Sequence, residues 1–341
     1  MIEHLKSGLS ISTHVGCPMG CEYCVLSVMN HFSKKPELSE CPEVIVKKIV
    51  EGKCLFANGK TPLIINNRTD PLLPTISDYT LRLLELLAEN HISSPVIIIS
   101  KFAPGEYLRS YFDRMNLMYI YSYSGYKKDF NYDKLNADIA QIDDIVPHKS
   151  RFHYLRPIIP GFNDDINVLY EIIKRFMECD FYGSIMAGFR VNKDNKGLLQ
   201  QSIKYNTQHK LLSNEIYQLI IDRLQVKKEA YQIFRHTSCG ISTFMHASNR
   251  LNYFDRTGHC NIKCANRNIC KSNKGISPYK IKGFMEEYLP KLRNWEYMEN
   301  EIHIYESVSQ EEIAFIRNAL GIIVYATDVR LSESERAITN E

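Results

Sequence analysis

The stretch LSISTHVGCPMGCEYC, residues 9–24, runs an apolar, β-prone segment straight into three closely spaced cysteines. Residues 9–13, LSIST, read as a short strand, and the loop that follows holds Cys17, Cys21 and Cys24 as CxxxCxxC. Three thiolates can hold three irons of a cubane [4Fe-4S] cluster and leave the fourth iron open, much as a catalytic zinc keeps one position free. A three-cysteine zinc site completed by a distant ligand such as His14 is the competing reading of the same residues.

Outward from that loop, helical and strand periodicities alternate. PEVIVKKIVEGK (42–53) has helical spacing, TPLIINN (61–67) reads as a buried strand, and SDYTLRLLELLAENH (77–91) as a helix with Ser77 at its cap. SPVIIISK (94–101), LMYIYSYS (117–124), FHYLRPIIPG (152–161) and YGSIMAGF (182–189) are further strands. ADIAQIDDIV (137–146), INVLYEIIKRFMEC (166–179) and a segment near 213–226 are helices between and after them. Six strands alternating with helices imply a parallel sheet, bent by right-handed crossovers into a barrel or a doubly wound layer. In a barrel, chemistry gathers at the C-terminal strand ends, where the cysteine loop stands. From about residue 240 the pattern gives way to an irregular, cysteine-bearing stretch. Then come a helix in YKIKGFMEEYLPKL (279–292) and a strand, helix and strand in EIHIYES, SQEEIAFIRNALG and GIIVYATDV. GSIMAG lacks the GK[ST] ending of a phosphate loop and is set aside.

The 341 residues are 44% hydrophobic and 24% charged, the make-up of a globular chain able to bury a large core. Forty-two Lys and Arg against 39 Asp and Glu leave a formal charge of +3, too small to imply a polyanionic partner. No apolar run approaches the roughly 20 residues of a membrane span, and the start lacks the apolar core of a secretory signal, so the expectation is a cytoplasmic protein without a membrane partner. In a reducing compartment ten cysteines point to metal more than to disulfides.

The CxxxCxxC spacing, with the aromatic Tyr23 before its last cysteine, resembles the defining motif of the radical S-adenosylmethionine (SAM) superfamily. The resemblance implies an α/β fold, a partial (β/α)6 TIM-like barrel. It also implies that the open iron chelates SAM and that a reduced cluster cleaves the sulfonium to a 5′-deoxyadenosyl radical. That radical abstracts hydrogen from substrate, with the electron coming from a donor such as flavodoxin or ferredoxin. NNRTDPLLP, PVIIISKF and RPIIPGFND resemble the branch that contains spore photoproduct lyase. The usual Gly-Gly-Glu after the second strand is missing, so Asn66, Asn67, Thr69 and Asp70 stand as its substitutes in SAM binding. The resemblance makes Lys101, with its neighbour Ser100, the match to a lysine near the SAM carboxylate. A strand-end lysine facing solvent is the plainer reading. Ser122 and Ser124 suit ribose or carboxylate hydrogen bonds, or ordinary turn chemistry. Arg156 is a candidate carboxylate partner; Arg151 is expected to be a surface charge.

A second set, Cys239, Cys260, Cys264 and Cys270, can hold an auxiliary [4Fe-4S] cluster or a structural zinc, and His236, His246 and His259 flank it. Cys41, Cys54 and Cys179 are scattered and read as buried thiols. From Arg256 to Lys282 there are seven Lys or Arg and no Asp or Glu, which either offset cluster charge or form a lip for an anionic substrate. The domain expectation is a barrel over 1–238, a cysteine-rich segment over 239–278 and a small α+β tail over 279–341. The functional expectation is a radical SAM enzyme acting on a peptide or small molecule, with a nucleic-acid-modifying lyase as alternative. With 16 residues before Cys17, any peptide docking falls to about the last 65. A non-catalytic zinc-binding nucleic-acid module is the reading from another class.

Overall fold

The computed structural model describes residues 1–5, 7–28, 34–126, 131–192, 194–199, 214–225, 231–247 and 276–330. Strand β1 (Ile2–Leu5) turns back into β2 (Gly8–Ile11), the antiparallel pair β3 (His14–Val15) and β4 (Glu37–Leu38) follows with the cysteine loop between its strands, and α1 (Pro42–Val50) leads to β5 (Leu63–Ile65). Then α2 (Ser77–Glu89), β6 (Val96–Ser100), α3 (Arg109–Arg114), β7 (Leu117–Ser122), α4 (Tyr132–Ile145) and β8 (Arg151–Ile158) alternate. The series runs on through α5 (Ile166–Glu178), β9 (Gly183–Gly188), α6 (Asn214–Gln225), β10 (Gln232–Phe234) and α7 (Thr237–Phe244).

Eight of these strands form one sheet in the order β1-β2-β5-β6-β7-β8-β9-β10. Only β1 is antiparallel; β2 through β10 pair in parallel with their successive neighbours. Because the order never reverses, every right-handed crossover falls on the same side, and a doubly wound layer is excluded. Leu9, Ile11, Leu63, Ile65, Val96, Ile98 and Leu155 face that side and pack with Leu83, Leu87, Ile139, Ile142, Ile172 and Phe176 from the helices. Residues of opposite parity, Ile64, Ile97, Met118, Ile120, Phe152, Tyr154, Ile185 and Phe234, form a second core on the inner face. Ile241 of α7 joins them, and Gly240 brings the helix so close to Ile185 that a Cβ there would lie 2.7 Å from Ile185 Cδ1. The boundary expected at 238/239 therefore falls inside a helix that belongs to the sheet's inner core.

Local chemistry explains where the helices begin. Asp165 caps α5 by accepting from the N–H groups of Asn167 and Val168, and Asn131 caps α4 through Lys134 N–H. Ser77 is not the cap of α2; Ile76 holds that position, and Ser77 is the first helical residue.

The C-terminal unit has its own core. Helix α8 (Pro278–Tyr288) precedes a three-stranded sheet of β11 (Trp295–Met298), β12 (Glu301–Ser309) and β13 (Ile323–Arg330), with α9 (Gln310–Leu320) crossing between the last two. Ser309 and Glu312 close a capping box at the start of α9, and Gly321, at φ 65°, ends it. The unit docks on the β1–β2 edge through Asn318, which is 5% exposed. Its backbone carbonyl accepts from Ala57 N–H and the Thr61 hydroxyl, and its side-chain Nδ2 donates to the carbonyls of Leu5 and Gly8. That covers an edge that would otherwise offer unpaired backbone.

Candidate functional site

The parallel strands end on one side, and there the cysteine loop follows β2. Cys24 N–H donates to Cys21 O at 2.9 Å, and the three thiols lie within electrostatic reach: Cys24 senses Cys21 and Cys17, and Cys17 senses Cys21. Burial pushes the Cys17 and Cys24 thiols up from the ordinary range. Backbone N–H groups of Met19 and Asp70 favour the thiolate of Cys17, while Leu26 N–H and the Arg156 guanidinium favour that of Cys24.

Tyr23 connects this loop to two neighbours. Its hydroxyl accepts a short hydrogen bond from Lys101 Nζ, and its ring packs edge-on against Tyr126 at 5.5 Å. Tyr126 belongs to a small apolar cluster with Ile159, Phe189 and Val191. Lys101 follows β6 directly, and its ammonium meets a phenol, so the plain solvent-facing reading does not hold.

Asp70 is 8% exposed. Its Oδ1 accepts from Ser100 Oγ at 2.7 Å and Leu72 N–H at 3.0 Å, and its Oδ2 from Lys101 N–H at 2.7 Å. Burial pushes its carboxyl upward against the pull of those donors. Ser100 is thereby committed to Asp70 and to Phe102 N–H.

Asn66 turns out to hold backbone. It is fully buried at φ 51°, its Oδ1 accepts from the N–H and hydroxyl of Thr13, and its Nδ2 donates to Thr80 Oγ1. An amide so engaged is a poor SAM ligand. Asn67 is exposed, and Thr69 Oγ1 is a buried hydroxyl with no hydrogen-bond partner among the described residues. Ser124 Oγ accepts from Tyr126 N–H, the turn chemistry that was the alternative, whereas Ser122 ends β7 half-buried.

Arg156 shares the inner face with Phe152 and Tyr154. It donates to Tyr154 Oη at 2.8 Å, and that hydroxyl also bonds Thr237 Oγ1 at 2.6 Å. Tyr154 and Thr237 were missed from sequence; Tyr154 could have been found, because strand parity puts it beneath Arg156. Thr237 had no such signal, since it lies on the unforeseen helix α7. Arg151 is buried and ion-paired with Asp143, at the opposite end of β8, and not a surface charge.

The three thiols suit a soft-metal cluster. His14 is buried, bonded to Thr13 Oγ1 through Nδ1 and packed on Tyr79, so its ring is already engaged. Among the described residues no three His, Cys, Asp or Glu, the three thiols included, are gathered around a single ion. Thr69, with its unpartnered hydroxyl, precedes the Asp70 N–H that faces Cys17, and the Lys101 ammonium meets Tyr23 of the cysteine loop, a donor set that fits a cluster with a zwitterionic ligand.

Cys239 sits half-buried on α7 against the inner core. Cys260, Cys264 and Cys270, His259 and most of the basic stretch lie outside the described residues, so their convergence with Cys239 stays an expectation. His236 is the N-cap of α7 and His246 is exposed at φ 47° beyond its end. Cys54 and Cys179 pack against the outer core and Cys41 occupies the N-cap position of α1 without a side-chain capping bond, each half-buried where full burial was expected; burial pushes the Cys54 thiol up to about 11. No helix among the described residues is long and apolar enough to cross a membrane.

No family model and no curated protein matches the chain. Among solved structures, spore photoproduct lyase with bound AdoMet and dinucleoside spore photoproduct matches with a TM-score of 0.51 at 10% identity, over 68% of this chain and 78% of that one. Another structure of that lyase, complexed with dinucleoside spore photoproduct, gives 0.51 at 11% over the same shares. Streptococcus suis SuiB bound to S-adenosylmethionine gives 0.46 at 10%, over 66% and 49%. These likenesses define a class of fold, a run of parallel strands alternating with helices. Spore photoproduct lyase is a particular protein whose fold this chain shares.

Proposed function

We propose that the chain is a radical SAM enzyme built on a partial barrel, with Cys17, Cys21 and Cys24 as the ligands of a [4Fe-4S] cluster. The observation that carries this reading is the place of the loop: three cysteines on one short segment after the first parallel strand, tied through Tyr23 to Lys101 at the sheet end that also holds Arg156. Bound there, cluster and SAM would supply one-electron cleavage of the sulfonium and hydrogen abstraction from substrate.

The chain's own residues bind and orient. Lys101, released from Tyr23, pairs with the SAM carboxylate; the Thr69 hydroxyl and Asn67 accept or donate at its amino acid end; Ser122 serves the ribose. Arg156, braced by Tyr154 and Thr237, holds carboxylate near Cys24. The apolar inner face, closed by α7, excludes water from the reacting atoms.

The substrate is a peptide or small molecule, and the electron comes from a flavodoxin- or ferredoxin-type donor in the cytoplasm. The nucleic-acid-modifying reading keeps support from the likeness in fold to a lyase solved with a dinucleoside photoproduct. Cys239, Cys260, Cys264 and Cys270 form a second metal site, auxiliary cluster before zinc. The proposed units are a barrel continued through α7, the cysteine-rich segment and the C-terminal α+β unit.

Anaerobic turnover with SAM and dithionite tests the reading. Formation of 5′-deoxyadenosine by brown, iron- and sulfide-containing protein supports it. Colourless zinc protein that leaves SAM intact refutes it. Mass changes in added peptides, metabolites or oligonucleotides then choose the substrate class. A Cys239→Ser variant with full iron content removes the second cluster.

A further inference from the structure

We infer that Asp70 is a positioning residue that sets Lys101 against the cysteine loop, an inference resting on the radical SAM reading above. The contacts form a closed circuit. Asp70 backbone N–H faces the Cys17 sulfur, its carboxylate holds Ser100 Oγ and Lys101 N–H, and Lys101 Nζ returns to Tyr23 Oη, one residue before Cys24. The loop after β5, the end of β6 and both ends of the cysteine motif are thus fastened to each other through one buried side chain.

The charge on that side chain has a function that simple packing does not explain. Ser100 hydroxyl, Leu72 N–H and Lys101 N–H all point donors at it, so only an acceptor-only group satisfies the site. An amide in its place turns an NH2 toward at least one of these donors. The first backbone group to yield is Lys101 N–H, because Oδ2 has no other bond in the set. Asp70→Asn keeps the backbone N–H that faces Cys17 and so separates the thiols from the lysine. Asp70 acts on the cofactor through Lys101 and is not itself a contact with the reacting atoms.

The experiment compares parent, Asp70→Asn and Ser100→Ala proteins, each reconstituted with iron and sulfide. Iron is counted, the reduced cluster is followed by EPR with and without SAM, and SAM binding is measured by equilibrium dialysis. For Asp70→Asn the expected result is parental iron and a parental SAM-free spectrum, with SAM affinity down ~10-fold or more and the SAM-induced spectral change weakened. Ser100→Ala moves in the same direction by about 2–5-fold, as loss of one of several bonds should. Parental SAM affinity in Asp70→Asn overturns the inference. So does loss of iron, which would place the role at the thiols. If Asp70→Asn does not fold, a parental Ser100→Ala overturns it instead. A parent whose spectrum SAM leaves unchanged overturns the radical SAM reading, and this is seen before any variant is compared.

Discussion

Two buried polar networks share the eight-stranded sheet, and they differ in charge. Under α5, His153 donates from Nε2 to Tyr123 O at 3.1 Å and accepts at Nδ1 from Ser184, whose oxygen accepts in turn from Tyr231 at 2.5 Å. His153 also stacks on Phe176 at 3.7 Å. Every group there is neutral and spends its capacity on another protein group, so the network stabilises and specifies the fold. At the C-terminal strand ends, a carboxylate, an ammonium and a guanidinium crowd three thiols. Burying a carboxylate such as Asp70 is costly, and a chain that does so beside three thiols has a reason beyond packing.

The largest effect that would sharpen this contrast is at the thiols. Replacing Cys17, Cys21 or Cys24 by Ala should abolish cluster assembly and SAM cleavage while leaving the circular dichroism of the fold intact, as checked by iron count and 5′-deoxyadenosine. Next comes Lys101→Met, for which SAM binding should weaken roughly 10–100-fold with iron content retained. Unchanged binding would make Lys101 a packing residue like His153 and erase the distinction.

The neutral network predicts acid lability. Burial pushes His153 from 6.5 down to about 3, and His4 down to about 4. A histidine with a depressed folded value binds its proton first in the unfolded chain. Its contribution is therefore whole above about pH 6.5 and is lost as pH falls toward the folded value. By about pH 4.5, two units below the reference, His153 alone should cost roughly 2–3 kcal/mol, measurable by urea denaturation across pH. Asn318→Ala should cost about 1–3 kcal/mol by leaving the Leu5 and Gly8 carbonyls without their donor, with faster amide exchange in β1 as the local sign. Smallest is Gly321→Ala, about 1 kcal/mol for a side chain at φ 65°, read as a shift in thermal midpoint.

The six expected strands all exist, because runs such as PVIIIS are long enough for pattern and flanking turn residues to agree. What was missed is short or atypical. The strand Gln232–Phe234 has three residues, and TSCGISTF in α7 is rich in Ser, Thr and Gly, poor helix formers held here by the inner core. Of the supporting positions, Lys101 was named from resemblance, but its contact with Tyr23 and the consumption of Asn66 by Thr13 and Thr80 were not legible, since those partners are brought in from other elements.

Taken alone, the order of residues determined the alternation of strand and helix, the cysteine spacing and its position after the first parallel strand. These are local properties, set by side-chain periodicity and by which residues are neighbours along the chain. Tertiary structure decided which faces of the sheet became cores, that α7 closes the inner one, and that Asp70, Lys101 and Tyr23 meet. Such meetings depend on pairings between strands 30 to 80 residues apart, and one residue of register would send each side chain to the opposite face.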